Sequence, residues 1–125
     1  KKSRQHFIKL NFPQSYQQLL KNGILEDYTM GFAHQLGFRA GTSTPFNWFD
    51  LTTNQQTLLT IYPFVAMDVT LKNYLNLTPK EAISTLENLK QTIKSVDGTF
   101  ITLFHQSNLN EEWIDWRKVY ESIFE

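Results

Sequence analysis

The most restrictive feature of this sequence is a capped amphipathic helix that lies between two apolar runs. Residues 57–67 (TLLTIYPFVAM) and residues 99–105 (TFITLFH) both read as buried strands. Between them, Thr78, Pro79 and Glu81 have the spacing of an N-cap, a first helical residue and the partner of a capping box. Buried strands that alternate with helices indicate an α/β protein with a largely parallel sheet.

The rest of the chain continues this alternation. The helix that follows Thr78 is expected to bury one face, made of Ile83, Leu86, Leu89, Ile93 and Val96. We also predict a strand at 6–10, a helix from Pro13 to Gly23, a β segment at 24–32, a functional loop from Gly31 to Asn54, a short helix after Asp68 and a final helix that starts at Asn110 and packs Trp113 and Trp116 into the core.

Composition limits the classes of partner. The 125 residues suffice for one domain at most, and 12 basic side chains balance 12 acidic ones. Nucleic acids and anionic membrane surfaces both require a basic face, so the zero net charge argues against them. No apolar run reaches the roughly 18 residues of a membrane span. The absence of cysteine removes disulfides and thiolate chemistry.

Local catalytic motifs are absent from the sequence. The GFRAGT stretch lacks the spacing and the lysine of a phosphate-binding loop, and neither GxGxxG nor GxSxG occurs. The histidines His6, His34 and His105 lack the spacing of a local metal site, so no metal ligand is assigned. Candidate chemistry therefore rests on polar residues at strand ends and in the glycine-containing loop.

Two such residues follow apolar strands directly. His105 ends the run TFITLFH, and Asp68 follows TIYPFVAM. Open α/β sheets and α/β barrels both place their chemistry at the carboxyl ends of strands. His105 is therefore a candidate acid or base, with Asp68 orienting its imidazole. The alternatives are a histidine satisfied by a backbone carbonyl and an aspartate that caps the next helix.

Arginines and aromatic residues supply the remaining candidates. Arg4 and Arg39 could each hold a carboxylate through the bidentate guanidinium group, or could be solvated surface residues. Phe46, Trp48 and Phe49 could form a platform on which a sugar stacks, although an aromatic cluster is more often part of a core.

Taken together, four stretches resemble the C-terminal half of polysaccharide deacetylase-like proteins of the NodB homology type. These are RQHFIKLNFPQSYQQLLKNGILEDYTMGF, GFRAGTSTPFNWFDL, PFVAMDVTL and FITLFHQ. The resemblance implies a distorted (β/α) barrel that removes acetyl groups from glycans with a divalent metal, usually zinc. Residues 1–125 would form a single partial domain, the C-terminal half of that barrel.

The resemblance also implies roles for individual residues. His105 matches the late histidine that protonates the leaving group, and Asp68 matches the aspartate that tunes it. The arginine that holds the catalytic base in the family matches Arg4 by position along the chain, or Arg39 by its local sequence FRAG. His105 is followed by Gln106 where the family pattern has aspartate after the histidine.

The metal ligands and the base of the family lie in an N-terminal half that this sequence does not contain. We therefore expect the 125 residues to be inactive alone and to need that half, or another copy, to cover exposed sheet edges. The complete protein would act on a glycan. The alternatives are a non-catalytic carbohydrate-binding or assembly module of the same fold and a purely structural segment.

Overall fold

The computed structural model describes residues 1–125 and contains two small sheets with helices packed around them. Strands β1 (Lys2–Ser3), β2 (Glu26–Asp27), β3 (Phe46–Asp50) and β4 (Gln55–Ile61) form one sheet in the order β1-β2-β4-β3. Strands β1, β2 and β4 are parallel, and β3 is antiparallel to β4. A separate parallel pair is formed by β5 (Ala66–Met67) and β6 (Thr102–Leu103).

Three α-helices complete the structure: α1 (Gln14–Lys21), α2 (Pro79–Ser95) and α3 (Arg117–Ser122). Short 3₁₀ segments span His6–Ile8, Gln106–Asn108 and Glu111–Trp116, and a π-helix spans Thr70–Tyr74. The α/β class with predominantly parallel strands is confirmed. The two sheets do not close into a barrel.

Helix α2 begins where the sequence predicts. The Thr78 hydroxyl accepts the Glu81 N–H, and the Glu81 carboxylate accepts the Thr78 N–H at 2.8 Å, so the capping box is complete. Leu86 and Ile93 are buried as expected. Val96 is 67% exposed, which corrects its assignment to the buried face, because the helix ends at Ser95.

Hydrophobic packing divides into three clusters. The largest lies between α2 and the C-terminal helices and includes Trp113 and Trp116, which confirms their place in the core. A second joins Tyr16 and Leu19 of α1 to the inner face of β4. The third contains Phe64, Met67 of β5 and Leu103 of β6, with Ile8, Ala33, Val69 and Ile101 packed against it. This third cluster forms the floor of the site described below.

The predicted strand at 6–10 is wrong. Strand pairing ends at Ser3, because the Gln5 N–H donates to Thr29 Oγ1 at 2.9 Å instead of to a neighbouring strand. The chain then turns through Phe7 (φ 55°) and Ile8 (φ 47°), both in the left-handed region. Conformations of this kind cost about 1–3 kcal/mol per residue and persist only where the surroundings enforce them.

Several other predicted boundaries also change. The predicted loop from Gly31 to Asn54 contains β3, whose residues alternate between the core side and solvent. The predicted strand at 57–67 divides into β4 and β5, because the chain leaves the ladder around Pro63, which has no N–H to donate. Only Thr102–Leu103 of the 99–105 run pairs as a strand. The last helix starts at Asn110 as predicted, first as a 3₁₀ segment.

Candidate active site

The centre of the site is a carboxylate–imidazole pair. Because β5 and β6 are parallel and pair Met67 with Leu103, the residues after their carboxyl ends come together. Asp68 Oδ1 lies 2.7 Å from His105 Nδ1. The Asp68 side chain is 1% exposed, whereas that of His105 is 43% exposed. The structure therefore joins the two residues that the sequence placed at separate strand ends.

Four hydrogen bonds fix the Asp68 carboxylate. Oδ1 accepts the Val69 N–H at 2.8 Å and faces the His105 ring, while Oδ2 accepts the His105 N–H at 2.8 Å and the Asn108 amide at 2.9 Å. An ionised carboxylate can only accept, so Nδ1 of His105 carries the proton in this pair. Nε2 is then the ring nitrogen left for another partner.

These contacts decide between the alternatives for the two residues. The partner of the His105 ring is the Asp68 carboxylate and not a backbone carbonyl. Asp68 bonds only the adjacent Val69 N–H in the following helix, so it is not an N-cap of the usual kind, which bonds the second or third helical N–H. Asp68 instead orients His105, in the geometry that the sequence predicts.

The pair opens onto a cleft of about 750 Å³. His105, Ser107 and Asn108 line it together with the segment from Arg4 to Ile8. Met67, Leu103 and Val69 form its apolar floor, with Ala33, Tyr74 and Phe104 completing the lining. The lining contains no carboxylate side chain.

Arg4 is the arginine that the fold brings to this cleft. Its Nε donates to the Tyr28 carbonyl at 3.2 Å, which holds the side chain along β2. Partial desolvation lowers the pKa of Arg4, and the negative charge of Asp27 opposes that shift. Arg39 is exposed, lies 6.0 Å from the Phe12 ring and does not line the cleft.

The predicted aromatic platform lies elsewhere. Trp48 and Phe49 line a separate groove of about 270 Å³ together with Phe12 and Leu51. Phe46 packs against the α1–β4 cluster. None of the three predicted aromatic residues lines the cleft that contains His105.

A buried aspartate that was not selected from the sequence supports the segment of the cleft lining that contains Arg4. Asp27 is 0% exposed and accepts the N–H and the hydroxyl of Thr29 at 3.0 and 2.8 Å. Burial raises the pKa of Asp27, and the hydrogen bonds from Thr29 oppose this rise. Because Thr29 Oγ1 also accepts the Gln5 N–H, the unit anchors the segment next to Arg4. The Asp-x-Thr spacing of DYT is the local signal that could have found it.

Further residues of the cleft were also missed, among them Asn108, Phe7 and Tyr74. Asn108 follows His105 by three residues, and one helical turn brings residues at this spacing to the same face. Its side-chain amide donates to Asp68. Phe7 and Tyr74 line the cleft although nothing in their spacing marks them. Their placement depends on the left-handed turn and on the π-helix, which periodicity does not predict.

Side chains that could ligate a metal do not cluster in this structure. No group of three or more histidine, cysteine, aspartate or glutamate side chains is placed to hold a metal ion. All four hydrogen bonds to Asp68 come from protein groups.

The fold and the cleft define a mixed α/β protein with an oriented histidine at the carboxyl ends of parallel strands. Comparison with protein-family models, with curated proteins and with solved structures finds no match. None of the helices has the length and apolar character needed to cross a membrane.

Proposed function

We propose that residues 1–125 are the C-terminal portion of a polysaccharide deacetylase-like (β/α) barrel that removes acetyl groups from a glycan. The observation that carries this proposal is the Asp68–His105 pair, which opens onto a cleft that also contains Arg4. The order of the four family-like stretches in the sequence supports the same assignment.

His105 would act as the general acid. In the imidazolium form, His105 donates Nδ1–H to Asp68 and carries a second proton on Nε2, which it would pass to the amine nitrogen or alkoxide oxygen that leaves when the acetyl group is cleaved. Asp68 has the role of a positioning residue, because it fixes the ring orientation and the tautomer. Arg4 would hold a carboxylate base by its guanidinium group.

The base and a divalent metal, zinc in the family that the sequence resembles, would come from the N-terminal half of the barrel. Open sheet edges support this part of the proposal. Strand β1 pairs only with β2, and β6 pairs only with β5, so each has one free edge. A missing half-barrel, or a second copy, would pair these edges.

The test uses the protein at its natural length, loaded with zinc, and measures acetate release from N-acetylated chito-oligosaccharides and O-acetylated xylan. We expect His105→Gln to lower kcat by about 10²–10⁴-fold, the range for loss of a general acid. The matched control is His34→Gln, which alters an exposed histidine outside the cleft. Acetate release by His105→Gln at the rate of the unmodified protein would overturn the proposal.

A non-catalytic carbohydrate-binding module is the second candidate. The observation that favours it is the separate groove of Trp48, Phe49, Phe12 and Leu51, which offers exposed aromatic surface away from His105. In that case glycans would bind at the groove, and His105→Gln would leave binding unchanged.

A further inference from the structure

Two aromatic side chains that line the cleft are not covered by the core. Phe7 is 85% exposed and Tyr74 is 56% exposed, and both line the cleft together with His105. Single exposed aromatic residues are common on protein surfaces, so exposure alone assigns no role. The backbone that holds each ring supplies an independent observation.

Phe7 is held by a strained and firmly anchored turn. Phe7 and the β-branched Ile8 both have left-handed φ values, which is rare for such residues. The Gln5 N–H bonds Thr29, the Ile8 N–H bonds the Gln5 carbonyl at 3.0 Å, and the Ile8 side chain packs against the floor of the cleft. This turn keeps Ile8 inside and the Phe7 ring in solvent at the rim. Strain of this kind concentrates at ligand sites.

Tyr74 is placed by a second unusual backbone segment. It is the last residue of the π-helix Thr70–Tyr74, which begins two residues after Asp68. π-helical turns are rare and occur frequently at functional sites. The same helix therefore follows the aspartate that orients His105 and delivers an exposed aromatic ring to the cleft.

We infer that Phe7 and Tyr74 bind the glycan by stacking against its pyranose rings beside His105; for its ligand, this inference rests on the proposed function. A pyranose ring presents an apolar C–H face and a rim of hydroxyl groups. The cleft matches both, because its aromatic rings accompany polar side chains such as Gln5, Ser107 and Asn108. A lining that contains Arg4 and no carboxylate disfavours a cationic, deacetylated sugar relative to an acetylated one.

The experiment measures binding separately from turnover, in the natural-length His105→Gln protein. Three probes are titrated by calorimetry: a tetramer of N-acetylglucosamine, the same tetramer without acetyl groups, and O-acetylated xylotetraose. Titration up to about 10 mM detects dissociation constants in the millimolar range. We expect at least one probe to bind, and Phe7→Ala and Tyr74→Ala each to raise its Kd about tenfold. Phe124→Ala, which removes another largely exposed phenylalanine outside the cleft, should leave Kd unchanged.

Two further variants separate stacking from simple apolar packing. Phe7→Trp keeps an aromatic face and should retain binding, whereas Phe7→Leu keeps apolar bulk without a ring and should bind as weakly as Phe7→Ala. Wild-type affinity in Phe7→Leu would overturn the inference, and so would failure of all three probes to bind.

The outcomes also distinguish this inference from the proposed function. If His105→Gln abolishes acetate release while Phe7→Ala and Tyr74→Ala leave Kd unchanged, the deacetylase proposal stands and the stacking role is overturned. If the unmodified protein binds a probe through Phe7 and Tyr74 without releasing acetate, the stacking role stands and the deacetylase proposal is overturned.

Discussion

Asn108 donates its side-chain amide to the same oxygen of Asp68 that accepts the backbone N–H of His105. The turn after β6 is thereby tied to the end of β5 at two points through one atom. Since β5 and β6 share only two residue pairs, this oxygen adds two hydrogen bonds to a short connection between the strands. The orientation of His105 and the local fold consequently depend on the same carboxylate.

Asp68→Asn should therefore disturb both stability and the imidazole. An amide offers one oxygen where the carboxylate accepts on two, so at least one buried donor loses its partner. We expect a loss of about 2–4 kcal/mol in unfolding free energy, measured by urea denaturation. The ¹⁵N spectrum of His105 should also lose the preference for a proton on Nδ1. Asp97→Asn is the control, because Asp97 is exposed and asparagine tolerates its left-handed φ of 54°. An unchanged tautomer in Asp68→Asn would contradict the assigned role.

The capping box of α2 should make part of the stability depend on pH. Hydrogen bonds from the Thr78 N–H and hydroxyl lower the pKa of Glu81 below its ordinary value of 4.5. A depressed carboxyl pKa contributes stability that is present above about pH 4.5 and is lost as the pH falls through the lowered pKa. Glu81→Gln should flatten the stability profile in that acid range, as followed by urea denaturation between about pH 2 and 7.

Thr78→Ala provides the partner variant for this test. It should cost about 0.5–2 kcal/mol at neutral pH through loss of the N-cap. Glu81→Gln in the Thr78→Ala background should then change the acid range less than it does alone, because the hydroxyl that contributes to the lowered pKa is gone. Equal effects in the two backgrounds would show that the box does not couple the residues.

Tyr16→Phe should leave stability unchanged or raise it by up to about 1 kcal/mol. The Tyr16 hydroxyl is buried and has no partner in hydrogen-bonding geometry, and burial and the nearby Asp27 charge both raise the pKa of Tyr16. Tyr28→Phe is the contrast, since it removes a hydroxyl that donates to Glu26 at 2.8 Å. Urea denaturation of both variants at pH 7 makes the comparison, and a clear loss of stability in Tyr16→Phe would reveal a partner for its hydroxyl.

Gly31→Ala should destabilise the floor of the cleft. A Cβ at Gly31 would overlap the ring of Phe64, which is fully buried. Overpacking of this kind costs about 1–3 kcal/mol or more. Gly31→Ala should therefore cost less stability in a Phe64→Leu background than in the unmodified protein, because the smaller side chain leaves room for the new methyl group. Thermal unfolding of the four proteins measures the coupling, and purely additive effects would contradict the contact.

Trp48→Ala tests the second candidate function. If glycans bind at the groove of Phe12, Trp48, Phe49 and Leu51, the substitution should weaken binding of the oligosaccharide probes about tenfold. If they bind in the cleft, Kd should stay within twofold. Phe7→Ala in the same titration gives the reciprocal result.

The sequence predicts best where a local rule governs the structure. The capping box at Thr78 and the arrival of Asp68 and His105 at strand ends follow from spacing and from the topology of parallel strands. The turn at Phe7 could not be predicted, because it depends on a hydrogen bond to Thr29, more than twenty positions away. Arg4 and Arg39 were indistinguishable for the same reason, since only the completed sheet decides which of them faces the cleft.

The short β5–β6 pair has a consequence for how related sequences would diverge. The contacts of Asp68 to the His105 backbone and to Asn108 do not involve the imidazole ring. If His105 has the proposed catalytic role, a descendant without that activity could replace His105 at little cost to its fold, but replacing Asp68 would weaken the connection between the strands. Sequences that keep the aspartate at this position but have lost the histidine would therefore be expected to retain the fold without the proposed activity.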